Sequence, residues 1–163
     1  MWLGYKTYKI IGMNHTPLRY CARGMITDRE GQILLVKHAS HKPWTLPGWH
    51  VEEGETFQEA MIREAREELG ITVELVGLVT IYKEGNIQSL PAPVRVQTIE
   101  YSNEKWTHRK YEEFFLAHMV TGVIAVQASE IASFGWFTLE QIKNMWPEEI
   151  YQSIQDIILS TAA

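Results

Sequence analysis

The sequence is short of cysteine, of long apolar runs and of basic charge. Cys21 is the single cysteine among 163 residues, which excludes a disulfide framework or a cysteine-based zinc site and fits a reducing cytoplasm. No apolar run approaches the ~20 residues that a membrane-spanning helix needs. The start, Met1-Trp2-Leu3-Gly4-Tyr5-Lys6, has neither the basic nor the apolar region of a secretory signal. Fifteen Lys and Arg face twenty Asp and Glu, a formal net charge of −5. A polynucleotide partner calls for a basic footprint, so this balance argues against one. A small phosphorylated substrate remains open if a cation is recruited locally.

What is present is a globular composition. With 45% hydrophobic and 21% charged residues, the chain is too apolar for disorder, and its length suits one domain over 1–163 with a core that needs no covalent staple. The net charge is concentrated. Seven acids (Glu52, Glu53, Glu55, Glu59, Glu64, Glu67, Glu68) and two bases (Arg63, Arg66) lie between Glu52 and Glu68, so this stretch carries the entire −5. Most such runs are solvated helix faces.

Periodicity and punctuation give the element order. The runs 19–27 and 32–38, separated by Asp28-Arg29-Glu30-Gly31, read as a β-hairpin with Gly31 at positive φ. Thr56–Leu69 reads as a helix: Thr56 and Glu59 have capping-box spacing, and Gly70 suits the left-handed C′ position. Strands are expected over 71–83, 93–102, 111–120 and 134–138, with a loop over 84–91 and closing helices over 139–144 and 148–159. The pattern predicts a mixed β-sheet covered by helices on both faces.

On the central helix, Phe57, Met61, Ala65 and Leu69 form an apolar stripe at ~100° per residue. Glu59, Arg63 and Arg66 fall opposite it, with Glu59 and Arg63 spaced as a surface ion pair. Glu64, Glu67 and Glu68, at i, i+3 and i+4, overlap the stripe's edge and are expected to point toward the body of the protein. Three converging carboxylates repel one another and lose solvation, and the last helical turn disfavours negative charge. A divalent cation relieves all three penalties, and oxygen-only ligands favour Mg²⁺, Mn²⁺ or Ca²⁺.

The segment Gly48-Trp49-His50-Val51-Glu52-Glu53-Gly54-Glu55, followed by Arg63-Glu64-Ala65-Arg66-Glu67-Glu68-Leu69-Gly70-Ile71, resembles the Nudix box of the Nudix hydrolases. Glu55, Arg63, Glu64, Glu67, Glu68, Gly70 and Ile71 fall at the required spacing. Two positions depart from it. Ala65 is smaller than the usual aliphatic residue, and Trp49 stands at the first Gly of the box, where it would fill space and oppose a positive φ. Gly48 beside it is expected to keep the turn and offer its carbonyl.

The resemblance implies a Nudix-type α/β/α sandwich and metal-dependent hydrolysis of a diphosphate linkage in a nucleoside diphosphate linked to X. It implies Mg²⁺, with Mn²⁺ also possible, as the cofactor. Glu67 and Glu68 are implied as metal ligands and Glu64 as ligand or general base. Arg63 would orient Glu64, Glu55 would pin the loop or assist the metal, and catalytic roles fall to Glu64, Arg63 and Glu68. Glu130, six residues before Trp136, resembles a further metal-binding glutamate of the family's nucleoside triphosphate pyrophosphohydrolases. Glu100, Glu112 and Glu113 are weaker candidates, since alternating strand carboxylates usually form a wet face. The expected partner is a small nucleotide-type substrate, without a nucleic-acid polymer or a membrane, in a monomer or homodimer.

His38 and His41 lack the acidic or cysteine partners of a zinc site. His50 is placed to touch phosphate or to lie at the surface. Trp44 and Trp136 read as core or pocket rim, and Tyr82, Tyr101 or Trp106 could stack on a base. The apolar start (Trp2, Leu3, Tyr5, Tyr8, Ile10, Ile11) reads as an added strand or a dimer contact. Asn86 stands where the ADP-ribose subgroup has Pro, disfavouring that substrate, and the coenzyme A motif is not visible. The alternative function is a non-catalytic Nudix-fold nucleotide sensor. An isopentenyl-diphosphate isomerase would need a cysteine elsewhere than Cys21.

Overall fold

The computed structural model describes residues 17–39, 43–81, 85, 87–102, 107–126 and 128–162, with Trp49 described in its backbone alone. The apolar start, His41, Tyr82, Asn86 and Trp106 lie outside these residues, as does any role of the Trp49 ring. In chain order the elements are β1 (Arg19–Thr27), β2 (Ile33–His38), β3 (Gly48–His50), α1 (Phe57–Leu69), β4 (Ile71–Leu75), β5 (Arg95–Ser102), β6 (Thr107–Gly122), β7 (Ile131–Phe137), α2 (Leu139–Lys143) and α3 (Gln152–Thr161). No described helix is long and apolar enough to cross a membrane.

The seven strands form one mixed sheet, ordered β4-β6-β1-β2-β7, with β3 paired to β1 and β5 to β6. β1 and β6 run parallel from Arg19↔Lys110 to Thr27↔His118, and the other pairings are antiparallel. The hairpin forms as expected, with Gly31 at φ 76°.

The apolar runs in β1 and β2 are continuous because both sheet faces are covered. Ala22, Ile26, Leu34 and Val36 point to one side, where they pack with Met61, Ala65 and Leu69 of α1. Met25, Ile33 and Leu35 point to the other, against Ile142 of α2 and Ile154, Ile157 and Ile158 of α3. Each fully buried aliphatic side chain contributes roughly 1.5–3 kcal/mol. The result is the expected helix–sheet–helix sandwich.

Several elements differ from expectation: β3 is an additional short strand, β5 begins at Arg95, β7 begins earlier, at Ile131, the last helix spans Gln152–Thr161 rather than 148–159, and β4 and β6 depart furthest. β4 stops at Leu75, far short of residue 83, because β5 takes over the same edge of β6 from Phe114 onward: Val76 N–H still reaches the Leu116 carbonyl, but Leu78 beyond it is 89% exposed. Gly77 then lies so close to Pro91 that a Cβ would come within 2.7 Å of its ring. β6 is longer than expected, because it serves three neighbours: β1, β4 and β5.

Candidate active site

The site is assembled at the start of α1. Glu55 N–H donates to the Glu52 carbonyl at 3.2 Å, closing a turn that needs Gly54 at φ 88°. Thr56 then caps α1: its hydroxyl accepts the Glu59 N–H, and the Glu59 carboxylate accepts the Thr56 N–H at 2.9 Å. Gly70 closes the far end at φ 70°, its N–H shared between the Ala65 and Arg66 carbonyls.

Arg63 corrects the expectation of a solvated ion pair with Glu59. The Glu59 carboxylate is engaged with both the N–H and the hydroxyl of Thr56, so Arg63 turns instead to the preceding loop. Its Nε and Nη2 donate to the two oxygens of Glu55 at 2.5 and 2.9 Å, a bidentate pair. Its Nη1 lies 2.7 Å from Glu64 Oε1 and 3.1 Å from Glu67 Oε2. The guanidinium beside it, helped by the Glu52 N–H, holds the Glu55 carboxyl well below its usual value, at about 2. Glu55, and after it Glu64, push the Arg63 value upward in turn. One cation therefore ties the box loop to the helix that carries the carboxylates.

The carboxylates themselves differ in exposure. Glu64 is 15% exposed and Glu67 59%, while Glu68 is half-buried. The inward placement expected of all three therefore fails for Glu67, which stands in solvent at the helix's last turn. Glu130 is exposed in the turn before β7, and its backbone carbonyl accepts the Ala39 N–H. Among the described residues no three His, Cys, Asp or Glu side chains are gathered closely enough to hold a metal. The donor chemistry still fits a hard divalent cation: all the donors are oxygens, and two of the carboxylates already share a positive partner in Arg63.

Gly48 is the first residue of β3 and is not among the glycines at positive φ, so it does not serve as the expected turn glycine. Its reason for being glycine is Arg23, directly across the β1–β3 pairing. A Cβ on Gly48 would lie 2.6 Å from Arg23 Cγ and 2.8 Å from Nη1. Trp49 is in extended backbone opposite Ala22, and no described non-glycine residue has positive φ. Tryptophan at the first box position thus meets no left-handed backbone. His50, opposite Cys21, is exposed yet held below its ordinary value by partial desolvation, then by Lys110 and Arg19.

Sequence reasoning missed the Arg23 network. Nε and Nη2 of Arg23 both reach Glu112 Oε1 at 2.8 Å, and Gln97 Nε2 donates to Glu112 Oε2 at 2.8 Å. Arg23 Nη1 donates to the Leu46 carbonyl at 3.0 Å and lies 3.4 Å from Thr45 Oγ1. Glu112, expected on a wet face, is 0% exposed. The available signal was a lone arginine inside the apolar run of β1. Trp44 packs edge-on against Phe137, with Lys37 Nζ 4.6 Å from its ring centre. Tyr101 is stacked on His108. A hollow of about 250 Å³ is lined by Arg63 and Glu67 of α1, and one of about 510 Å³ lies between α1, β4 and Gln88, Leu90 and Pro91; neither is lined by Glu64 or Glu68.

A family model described as the NUDIX domain matches residues 17–157. The chain belongs to the Nudix family. Over 159 residues it is 27% identical to an RNA pyrophosphohydrolase of Erythrobacter litoralis, covering 86% of this chain and 92% of that one. It is 30% identical over 146 residues to the NAD-capped RNA hydrolase NudC of Haemophilus influenzae, covering 85% of this chain but only 43% of the relative. In fold it resembles a Nudix-family hydrolase from Clostridium perfringens, with a TM-score of 0.68 and 21% identity over 92% of this chain and 96% of that one. The protein is a Nudix hydrolase. Nudix hydrolases generally use a divalent metal and act on nucleotide-type substrates.

Proposed function

We propose that this Nudix hydrolase cleaves a diphosphate linkage in a nucleoside triphosphate or small nucleotide derivative, with Mg²⁺ as its metal and Mn²⁺ as a substitute. The observation that carries the reading is the box helix, where Arg63 joins Glu55 to Glu64 and Glu67. Glu67 and Glu68, the Gly48 carbonyl and Glu130 are the proposed metal ligands, with Glu64 as ligand or general base. A divalent cation, when bound, neutralises phosphate oxygens and makes a bound water acidic enough to attack phosphorus.

The remaining work belongs to the chain. Arg63 fixes the orientation of the Glu64 carboxylate, which accepts a proton or binds a cation. Glu55 fixes Arg63, and its depressed pKa extends the charged state of that clamp into the acid range, toward pH 2. The described sandwich works as one catalytic unit, supported by a family match over 17–157. A reducing cytoplasm suits the lone, buried Cys21.

The test is a panel of nucleoside triphosphates, nucleoside diphosphate sugars and dinucleoside polyphosphates, read as released phosphate or pyrophosphate with Mg²⁺ or Mn²⁺. At least one should be turned over, and Glu68→Gln should slow it by orders of magnitude with the fold intact. Unchanged turnover in Glu68→Gln overturns the assignment, and silence across the panel favours the nucleotide-sensor alternative.

A further inference from the structure

A heavily bonded ionic group, Arg23 with Glu112, lies beneath the loop that enters the box, and no role assigned above uses it. Glu112 brings a charge fully out of water, at a site where an apolar pair of similar volume would often be as stable or more so. Stability is thus a weak reason for its presence, and direction is a better one. The Arg23 fork is planar and its bonds are spent on separate segments: Glu112 on β6, and Leu46 with Thr45 on the approach to β3. Gln97 on β5 fixes the second Glu112 oxygen, so the carboxylate cannot rotate away without breaking that bond. The Arg23 stem then fills the space over Gly48 that a Cβ would occupy. Gly24 N–H, next along β1, donates to the Pro47 carbonyl at 3.0 Å. Residues 45–48 are therefore held directly from β1, with β6 and β5 acting behind it through Glu112 and Gln97, while Thr45 also exchanges two backbone hydrogen bonds with Val36 of β2.

We infer that Arg23, oriented by Glu112 and Gln97, is a positioning residue that sets the Gly48 peptide at the mouth of the Nudix box. This deepens the function proposed above and rests on it, since Gly48 is there the backbone ligand. Arg23 touches neither metal nor substrate. It acts through the loop, so its loss should impair turnover more than substrate binding.

The experiment compares wild type with Glu112→Gln, Arg23→Lys and the milder Gln97→Ala, which serves if Glu112→Gln fails to fold. Turnover of the best panel nucleotide is measured as kcat and KM, with the Mg²⁺ concentration for half-activity. Amide exchange at Gly24 is followed by NMR, because its acceptor is the Pro47 carbonyl. Positioning predicts at least a tenfold fall in kcat for Glu112→Gln, KM within threefold, a several-fold higher Mg²⁺ requirement and faster Gly24 exchange. Gln97→Ala should shift each in the same direction by less, and Arg23→Lys should retain part of the rate. Folded variants with wild-type kcat and wild-type Gly24 exchange would overturn the inference. If wild type turns over nothing, the proposed function has failed, and Gly24 exchange in Glu112→Gln still decides whether Arg23 seats the loop.

Discussion

Gly48→Ala is a sharp test of the reasoning about the box entrance, because its sign should depend on a residue 25 positions away in sequence. At an ordinary strand position, replacing Gly by Ala gains about 0.5–1 kcal/mol from backbone entropy. Here the added Cβ would come 2.6 Å from Arg23 Cγ and 2.8 Å from Nη1. A free surface arginine would swing aside, but this one is 14% exposed and tied to Glu112, Leu46 and Thr45. Forcing a methyl into such a site costs about 1–3 kcal/mol. The difference is a net destabilisation of about 1.5 kcal/mol, from the overpacking range less the backbone gain. For a domain of this size that is a drop in Tm of about 3–6 °C.

The same change is then made in an Arg23→Ala/Glu112→Leu background. Removing both charges avoids leaving a buried carboxylate unpaired, which alone costs about 3–5 kcal/mol. With the Arg23 stem gone the clash is gone, and Gly48→Ala should become stabilising by up to about 1 kcal/mol. Urea unfolding of all four proteins gives the coupling directly, and it should exceed about 1.5 kcal/mol, well outside the ~0.5 kcal/mol seen for independent sites. Equal cost in both backgrounds would refute the claim that Arg23 is what requires glycine at 48.

Gly70→Ala should cost about 1–2 kcal/mol in urea unfolding, because φ 70° is left-handed backbone; no measurable loss would contradict the cap geometry. Mg²⁺ at a hundredfold excess over its Kd should stabilise the protein by about 2.7 kcal/mol, and Glu67→Gln with Glu68→Gln should abolish the shift in Tm, which reports binding without turnover. Glu55 has its pKa lowered from 4.5 to about 2, so its contribution is present above pH 4.5 and disappears as pH falls toward 2. Wild type and Glu55→Gln should accordingly differ in stability at pH 6 and converge near pH 2; a constant gap would show that the Arg63 pair is not what holds the carboxylate ionised. Burial raises the Cys21 thiol pKa, so alkylation at pH 8 should be far slower in the folded protein than in urea.

Local signals in the chain were read correctly where a single element determines the outcome. The capping box at Thr56 and Glu59, and Gly70 at the far end, fix α1 from its own residues. The error at Arg63 arose from assigning the Glu59 carboxylate twice, once to the cap and once to an ion pair. Backbone groups at a helix start have no other partner, so the cap takes the carboxylate and Arg63 is released to Glu55. The error at β4 has a different origin. Residues 76–83 have strand-like composition, but a strand needs a neighbour, and beyond Val76 the edge of β6 that β4 would follow is already paired with β5.

The candidate site divides along the same line. The spacing of Glu64, Glu67 and Glu68 is legible because one helix sets it, and Glu55 is legible because Gly54 and Thr56 bracket it. Arg23, Gln97 and Glu112 are separated by up to 89 residues and meet only through the registers Cys21↔Glu112 and Gln97↔Glu112. No local pattern announces such a meeting, and the alternation rule that sent Glu112 to solvent was misleading because that sheet face is covered there. The net charge shows why the distinction matters. The whole −5 lies in residues 52–68, yet Arg63 faces Glu55, Glu64 and Glu67 at once, so the acidity is already partly answered from within. Turning Arg63 outward, as sequence spacing suggested, would leave the half-buried carboxylates uncompensated. The ion pairing of one helix thus follows from the capping of its first turn.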